Sequence, residues 1–207
     1  SSAWRMDNDV PLVVPEVNKE DIFTHHGIIA NPNCSTIQAM LPLKALDTVF
    51  GLKRVIFSTY QSVSGAGQRG TNDLKRGVNG EKPEKFVHPI FSNLIPHIDV
   101  FEDNGYTKEE MKMIFETRKI LHKKDLKITA TCVRVPVFDC HSESINVQLE
   151  KPFTMEEVRE CLSNFENVVV MDDTEKNIYP MPLFCKECDE VFVGRIRKDD
   201  SCENALN

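Results

Sequence analysis

A cysteine at the head of a helix is a candidate nucleophile, and Asn31-Pro-Asn-Cys-Ser-Thr36 provides one. A proline-stiffened turn hands over at Cys34 to the helical spacing of Ile37, Met40, Leu41, Leu43, Leu46 and Phe50, with Gly51 as the stop. Unpaired N–H groups and the positive end of the helix dipole favour thiolate over thiol at that position. The plain alternative is an inert thiol buried in the helix start. A second stretch, Cys132-Val-Arg-Val-Pro-Val-Phe-Asp-Cys-His141, sets Arg134 near the end of a strand and His141 just past it, where a turn can return the imidazole to the strand end. An imidazole that titrates near neutral pH suits proton transfer, and a guanidinium fork suits a carboxylate. Taken alone, the stretch is explained equally well by a surface arginine and a satisfied histidine. Two weaker signals accompany these. In Glu116-Thr-Arg-Lys119 the spacing of three places Glu116 and Lys119 on one helix face, ordinarily a solvated ion pair. Ser64-Gly-Ala-Gly67 permits close backbone approach to a flat or anionic ligand, without the context of a P-loop or a dinucleotide fingerprint.

Such chemistry needs rigid elements behind it. Leu52 to Tyr60, rich in Val, Ile and Phe, reads as a buried strand that runs into the Gly-rich loop Gln61 to Gly67. Thr107-Lys-Glu-Glu110 has capping-box spacing, and Met111, Ile114, Phe115 and Ile120 carry an apolar face to about Leu121. Lys127 to Phe138 alternates as a strand until Pro136 ends ladder pairing, and Ile145 to Leu149 reads as another. The hairpin-length gap between Phe138 and Ile145 predicts that these two pair antiparallel in a mixed sheet. Thr154-Met-Glu-Glu157 opens a second capped helix ending near Phe165, and Val168 to Met171 and Val191 to Ile196 read as the last strands. Val10 to Val17 is extended and punctuated by proline, Ser201 to Asn207 is polar and without period, and neither end closes an element. Both read as cuts through a longer chain.

Length and composition exclude several classes. The 207 residues can hold a full core, and 41% hydrophobic with 28% charged residues fits neither a disordered nor a collagen-like chain. Lys plus Arg is 25 against 32 for Asp plus Glu, and the net charge of -7 would repel a phosphate backbone, so nucleic acid is excluded as a partner. No apolar run approaches the ~18 residues of a membrane helix, and no signal peptide precedes the first motif. Seven cysteines, odd in number and irregularly placed, argue against a disulfide framework and for a reducing cytosol. Cys185 and Cys188 form a lone C-x-x-C pair with no second pair or nearby histidine, which reads as structural or accidental rather than metal-binding.

Five separated motifs, in order, carry a resemblance. Asn31 to Gln38, Ser58 to Gly67, Asn93-Leu-Ile-Pro-His-Ile-Asp99, Glu116 to Lys119 and Arg134 to Ser142 look like aspartate-semialdehyde dehydrogenase, and the likeness extends from Ser1-Ser-Ala-Trp4 to Arg197. The resemblance implies an α+β domain of the glyceraldehyde-3-phosphate dehydrogenase C-terminal type, with a mixed, largely antiparallel sheet and helices on one face. Residues 1–207 would then be the catalytic and dimerisation domain, with the NADP-binding Rossmann domain absent from this chain and the chain alone inactive. Cys34 resembles the nucleophile, His141 the general acid/base, and Gln61 the residue that orients the acyl group. Arg134 and Glu116 resemble the groups that recognise the substrate's carboxylate and ammonium, Lys119 a phosphate contact with Asn33 beside the thiol, and Ser64 and Gly65 the loop that meets the nicotinamide. The implied reaction reduces 4-phospho-L-aspartate to L-aspartate 4-semialdehyde with NADPH, in a cytoplasmic homodimer or tetramer. Rival readings are a related reductase acting on N-acetylglutamyl phosphate, a Cys/His hydrolase, and a noncatalytic dimerisation module. Tyr179 to Glu190 receives no role.

Overall fold

Ten residues of alternating burial, Leu52–Gln61, form the axis of the sheet (β1), with Val55, Phe57, Thr59 and Gln61 turned to one buried face. In the computed structural model, which describes residues 2–207, β1 is paired on both edges. On one side runs β2 (Lys127–Arg134), parallel, in register from Arg54 opposite Lys127 to Gln61 opposite Arg134. On the other runs β3 (Ser142–Leu149), antiparallel, from Leu52 opposite Leu149 to Tyr60 opposite Ser142. Two short strands, β7 (Ala205–Leu206) and β6 (Lys198–Asp199), extend the sheet in the order β2-β1-β3-β7-β6. The fold is α+β with a mixed, mostly antiparallel sheet, as expected.

The β2–β3 hairpin expected from the short gap does not exist. The two strands run in opposite directions but share no ladder, because β1 lies between them and satisfies one edge of each. The connection therefore crosses the end of β1 and is stitched to the loop beyond that strand: Val135 N–H donates to Gln61, Val63 N–H to Val137 and Ser64 N–H to Phe138. This crossing brings the C-terminal ends of β1 and β2 and the start of β3 to one place, and with them Gln61, Arg134 and His141.

Helices α2 (Cys34–Phe50), α4 (Lys108–Ile120) and α5 (Met155–Ser163) share the principal core with the sheet. Met40, Leu43, Met113, Val55 and Phe57 are essentially inaccessible there. Both expected capping boxes are complete: Thr107 with Glu110, and Thr154 with Glu157, each exchange the reciprocal pair of bonds that define the motif. A single helical turn, α1 (Pro15–Asn18), interrupts the stretch read as extended. The region after the Gly-rich loop also departs from expectation. Residues read only as loop continue into α3 (Gly67–Val78), whose Leu74 joins Val63, Ile90 and Ile95 in a small satellite core. The Asp73 carboxylate fixes it by accepting the N–H groups of Glu84, Lys85 and Phe86. Three glycines in twelve residues hide this helix from propensity; tertiary anchoring overrides them. A separate pair, β4 (Val168–Val170) and β5 (Val191–Val193), is parallel, and the short α6 (Pro182–Cys185) lies between them in sequence. Among the described residues no helix is long and apolar enough to cross a membrane, and all seven cysteines are free.

Candidate active site

Cys34 is the first residue of α2, and its position follows from the cap before it. The Asn33 side chain accepts from the N–H groups of Ser35 at 2.9 Å and Thr36 at 3.3 Å, which closes the helix start and leaves the neighbouring thiol accessible. His141, immediately before β3, presents Nε2 to the Cys34 Sγ at 3.2 Å. The two residues are 107 positions apart in the chain, joined by the crossing connection and by the packing of α2 on the sheet.

The imidazole is held from behind. Its Nδ1 accepts the main-chain N–H of Ser62 at 3.0 Å and lies 3.0 Å from the Ser62 hydroxyl, which in turn is 3.0 Å from the Ser64 hydroxyl. The Ser62 carbonyl accepts Arg134 Nη1 at 2.7 Å, so guanidinium and imidazole are braced on one residue. Gly65 closes over both. A Cβ there would come within 2.9 Å of His141 Cε1 and 3.0 Å of Arg134 Nη1, so only a glycine fits without displacing them. Arg134 is buried, and its Nε has no partner among the described residues.

A carboxylate that sequence reasoning missed organises the other flank. Glu109 Oε1 accepts from Asn33 Nδ2 at 2.8 Å and Gln61 Nε2 at 3.1 Å, while Oε2 accepts from Lys112 at 3.2 Å. Gln61 is completed by Thr59, whose hydroxyl donates to its Oε1 at 3.0 Å. Glu109 stands beside the capping-box Glu110, and nothing in the motif distinguishes the one turned inward. Glu116, on the same helix α4, accepts Asn33 N–H at 2.6 Å and Arg5 Nη1 at 3.1 Å, so both its oxygens are engaged one residue from the thiol. Lys119 stands elsewhere. Its ammonium donates to the carbonyls of Arg5, Asp7 and Val10 at 2.9, 2.6 and 2.8 Å, and the structure places it as a tether for the N-terminal segment rather than as a free cation beside Cys34. The expected phosphate contact would require those three bonds to be released.

The electrostatics correct two expectations. Burial and the nearby Glu109 charge push the Cys34 thiol above its ordinary value, outweighing the helix-start N–H groups and Arg134 that pull it down. Burial, and then Arg134, push His141 down to about 4 against the pull of Glu109, so the imidazole is neutral at physiological pH rather than poised near neutrality. The pair is a thiol and a neutral imidazole in hydrogen-bond contact. The Glu109 carboxyl lies below its usual range: burial opposes ionisation, but the bonds from Asn33 and Gln61 and the Lys112 charge overcome it.

Residues 43–207 match the family model described as semialdehyde dehydrogenase, dimerisation domain. The chain belongs to this family. Among semialdehyde dehydrogenases, the aspartate-semialdehyde dehydrogenase of Aquifex aeolicus is 56% identical over 216 residues, covering 100% of this chain and 64% of that relative. The Bacillus subtilis enzyme of the same name is 47% identical, over 96% of this chain and 62% of the relative. The crystal structure of aspartate semialdehyde dehydrogenase II from Vibrio cholerae matches with a TM-score of 0.94 at 42% identity, covering 100% of this chain and 63% of that one. The same enzyme has been solved complexed with ASA. The chain thus spans less than two thirds of the length of each of these semialdehyde dehydrogenases.

Proposed function

We propose that this chain is the catalytic and dimerisation part of an aspartate-semialdehyde dehydrogenase, which reduces 4-phospho-L-aspartate to L-aspartate 4-semialdehyde through a thioester on Cys34. The observation that carries the proposal is the 3.2 Å contact between Cys34 Sγ and His141 Nε2 at the converging strand ends. A carboxylate is a poor hydride acceptor and an acyl phosphate is an activated one. In the first step Cys34 sulfur attacks the acyl carbon, a C–S bond forms, and the C–O bond to phosphate breaks with the electron pair leaving on phosphate. When hydride has been added at the thioester carbon, His141 Nε2 faces the oxygen that carries the negative charge and stabilises it by a hydrogen bond, and the C–S bond then breaks with its electron pair on sulfur as the aldehyde leaves. The unpartnered Arg134 Nε is a buried donor for the substrate carboxylate, an arrangement that favours an anionic amino acid over a neutral one. Glu116 and Asn33 border the sulfur, and we assign Glu116 to the substrate ammonium in exchange for Arg5. Gln61, held by Glu109 and Thr59, orients the acyl group.

The donor set also fits a nicotinamide. Gly65 is exposed and lacks a Cβ where the imidazole stands directly beneath it, and Ser64 is partly exposed alongside, so a flat ring can approach the reacting carbon there. When bound, NADPH supplies the hydride. A homodimer is supported by the family description and by the exposed side of β1, where Tyr60 is 44% exposed. The seven free thiols fit a reducing, cytoplasmic setting.

Acylation tests the assignment without the cofactor. Incubated with 4-phospho-L-aspartate, the wild-type chain acquires the mass of one aspartyl group at Cys34, and Cys34→Ala acquires none. An adduct on another thiol, or none on the wild type, removes the nucleophile. In the full-length enzyme Cys34→Ala abolishes turnover, and activity within tenfold of wild type has the same consequence.

A further inference from the structure

His141 meets Cys34 through one ring nitrogen, and the partner of the other nitrogen decides what the first can do. Nδ1 accepts from the Ser62 main-chain N–H at 3.0 Å. An amide N–H only donates, so in this geometry Nδ1 carries no proton, and a neutral ring with a bare Nδ1 carries its proton on Nε2. That proton points at the Cys34 sulfur, 3.2 Å away.

The contact is not a loose one. Ser62 is fully buried, and the carbonyl of the same peptide unit, that of Gln61, accepts the Val135 N–H at 3.0 Å, so the peptide cannot rotate without breaking that bond; the next peptide is held in turn through the Ser62 carbonyl by Arg134 Nη1 at 2.7 Å. The opposite side of the ring is closed by Gly65. Another neutral tautomer would place an Nδ1 proton against the Ser62 N–H. Its acceptor would then be the Ser62 hydroxyl at 3.0 Å, and the main-chain donor would lose its partner in a buried position.

We propose that Ser62 is a positioning residue for this reaction: its main-chain N–H fixes His141 as the Nε2–H tautomer, presenting the imidazole to Cys34 as a hydrogen-bond donor and not as the base that removes the thiol proton. The inference rests on the reading of Cys34 and His141 as the reacting pair. Its consequence is a division of labour. The thiol loses its proton to solvent at the accessible mouth of the site, and the Nε2–H then donates to the thiolate and, after hydride addition, to the oxygen on the acyl carbon. No proton changes hands in that step: the Nε2–H stabilises the negative oxygen through a hydrogen bond, and the C–S bond breaks with its electron pair leaving on sulfur. The Ser62 and Ser64 hydroxyls, 3.0 Å apart, are available to Nδ1 only when the ring leaves this state. The arrangement differs from a thiolate–imidazolium pair, which needs both ring nitrogens protonated and would set two donors, Nδ1–H and the Ser62 N–H, against each other.

Two readouts on the 207-residue chain test it. The first is nitrogen-15 NMR of the histidine side chains, with His141 assigned by the signals missing from His141→Gln. The expected result at pH 7 is a bare Nδ1 and a protonated Nε2 in the wild type, and the same in Ser62→Ala, which keeps the N–H and loses the hydroxyl. A protonated Nδ1 in the wild type overturns the proposal, and so does a changed tautomer in Ser62→Ala, since the hydroxyl and not the main chain would then be in control. The second is the pH dependence of Cys34 alkylation by iodoacetamide. The charged or titratable groups around the sulfur are Glu109 from α4, Arg134 from β2 and His141 itself. The expected profile is a single rise at alkaline pH, at least tenfold from pH 7 to pH 9, with no plateau between pH 5 and 7. A plateau there reveals a thiolate–imidazolium pair and overturns the proposal. The NMR result does not depend on the substrate. A bare Nδ1 together with no acylation at Cys34 retires the dehydrogenase reading and leaves the tautomer standing, whereas acylation with a protonated Nδ1 does the reverse.

Discussion

Two carboxylates approach the Cys34–His141 pair from different flanks, and their environments drive them to opposite states. Glu109, on the α4 side, is buried but collects two amide donors and the Lys112 ammonium, and its carboxyl stays ionised. Glu143, on β3, shares a cavity of about 660 Å³ with His141 and with Gln38, one turn along α2 from Cys34. Its only partner among the described residues is Gln38 Nε2 at 2.7 Å, and Oε2 is buried without one. Burial pushes the Glu143 carboxyl up to about 8, with the Gln38 bond opposing. The lesson is that burial alone neutralises an acid and that the number of donors reverses it. One flank therefore fixes a permanent negative charge near the sulfur, and the other holds a proton.

The contrast is broken most sharply at Glu109. Glu109→Ala strands the Asn33 and Gln61 amides and leaves the Lys112 ammonium with Asp99 alone, and it costs about 3 kcal/mol in urea unfolding while lowering the Cys34 thiol's apparent pKa in an alkylation profile. Next comes Lys119→Met on the same helix. It removes the ammonium shared by three main-chain carbonyls, of which only that of Asp7 keeps another donor, the Val10 N–H, with a loss of about 2 kcal/mol and earlier proteolysis near residues 5–10. A stability change below about 0.5 kcal/mol would show that the tether is cosmetic and that the ammonium is free for phosphate. The last effect has the opposite sign. Glu143→Gln stabilises the chain at pH 8, and the gain shrinks towards pH 4, where the carboxyl is protonated in both states. The sign comes from proton counts. From about pH 4.5, where the unfolded carboxyl ionises, to about 8, the folded state binds the extra proton, so stability falls with rising pH, and Gln removes that slope. His141 acts the other way below pH 6.5: the unfolded imidazole binds the extra proton down to about 4, so stability is lost as pH falls through that window. Thermal melts of wild type and Glu143→Gln from pH 4 to 9 separate the two.

Much of this was legible in advance where the signal is local. The capping boxes at Thr107 and Thr154, the helix opened by Cys34 and the strand at Leu52 each rest on neighbours within one or two turns, and each forms close to its expected bounds. Elements that depend on distant anchors were not legible. Helix α3 is held by Asp73 reaching across to residues 84–86, and the β2–β3 hairpin fails because a third strand, remote in sequence, takes the place between them. The same division runs through the site: Cys34, Asn33, Gln61, Arg134 and His141 stand out by type and motif, while Ser62, Glu109 and Glu143 carry no mark in the sequence that separates them from ordinary serine and glutamate.

What the sequence determined by itself was the chemical inventory: a thiol at a helix start, an imidazole and a guanidinium past a strand, and the periodicities that make helix and strand. The tertiary structure alone decided which atoms face one another and how much water each keeps. Proton position and charge depend on those contacts, because the energy of an ionised or hydrogen-bonded group is set by its nearest partners and its desolvation, and neither is encoded by a residue's neighbours along the chain.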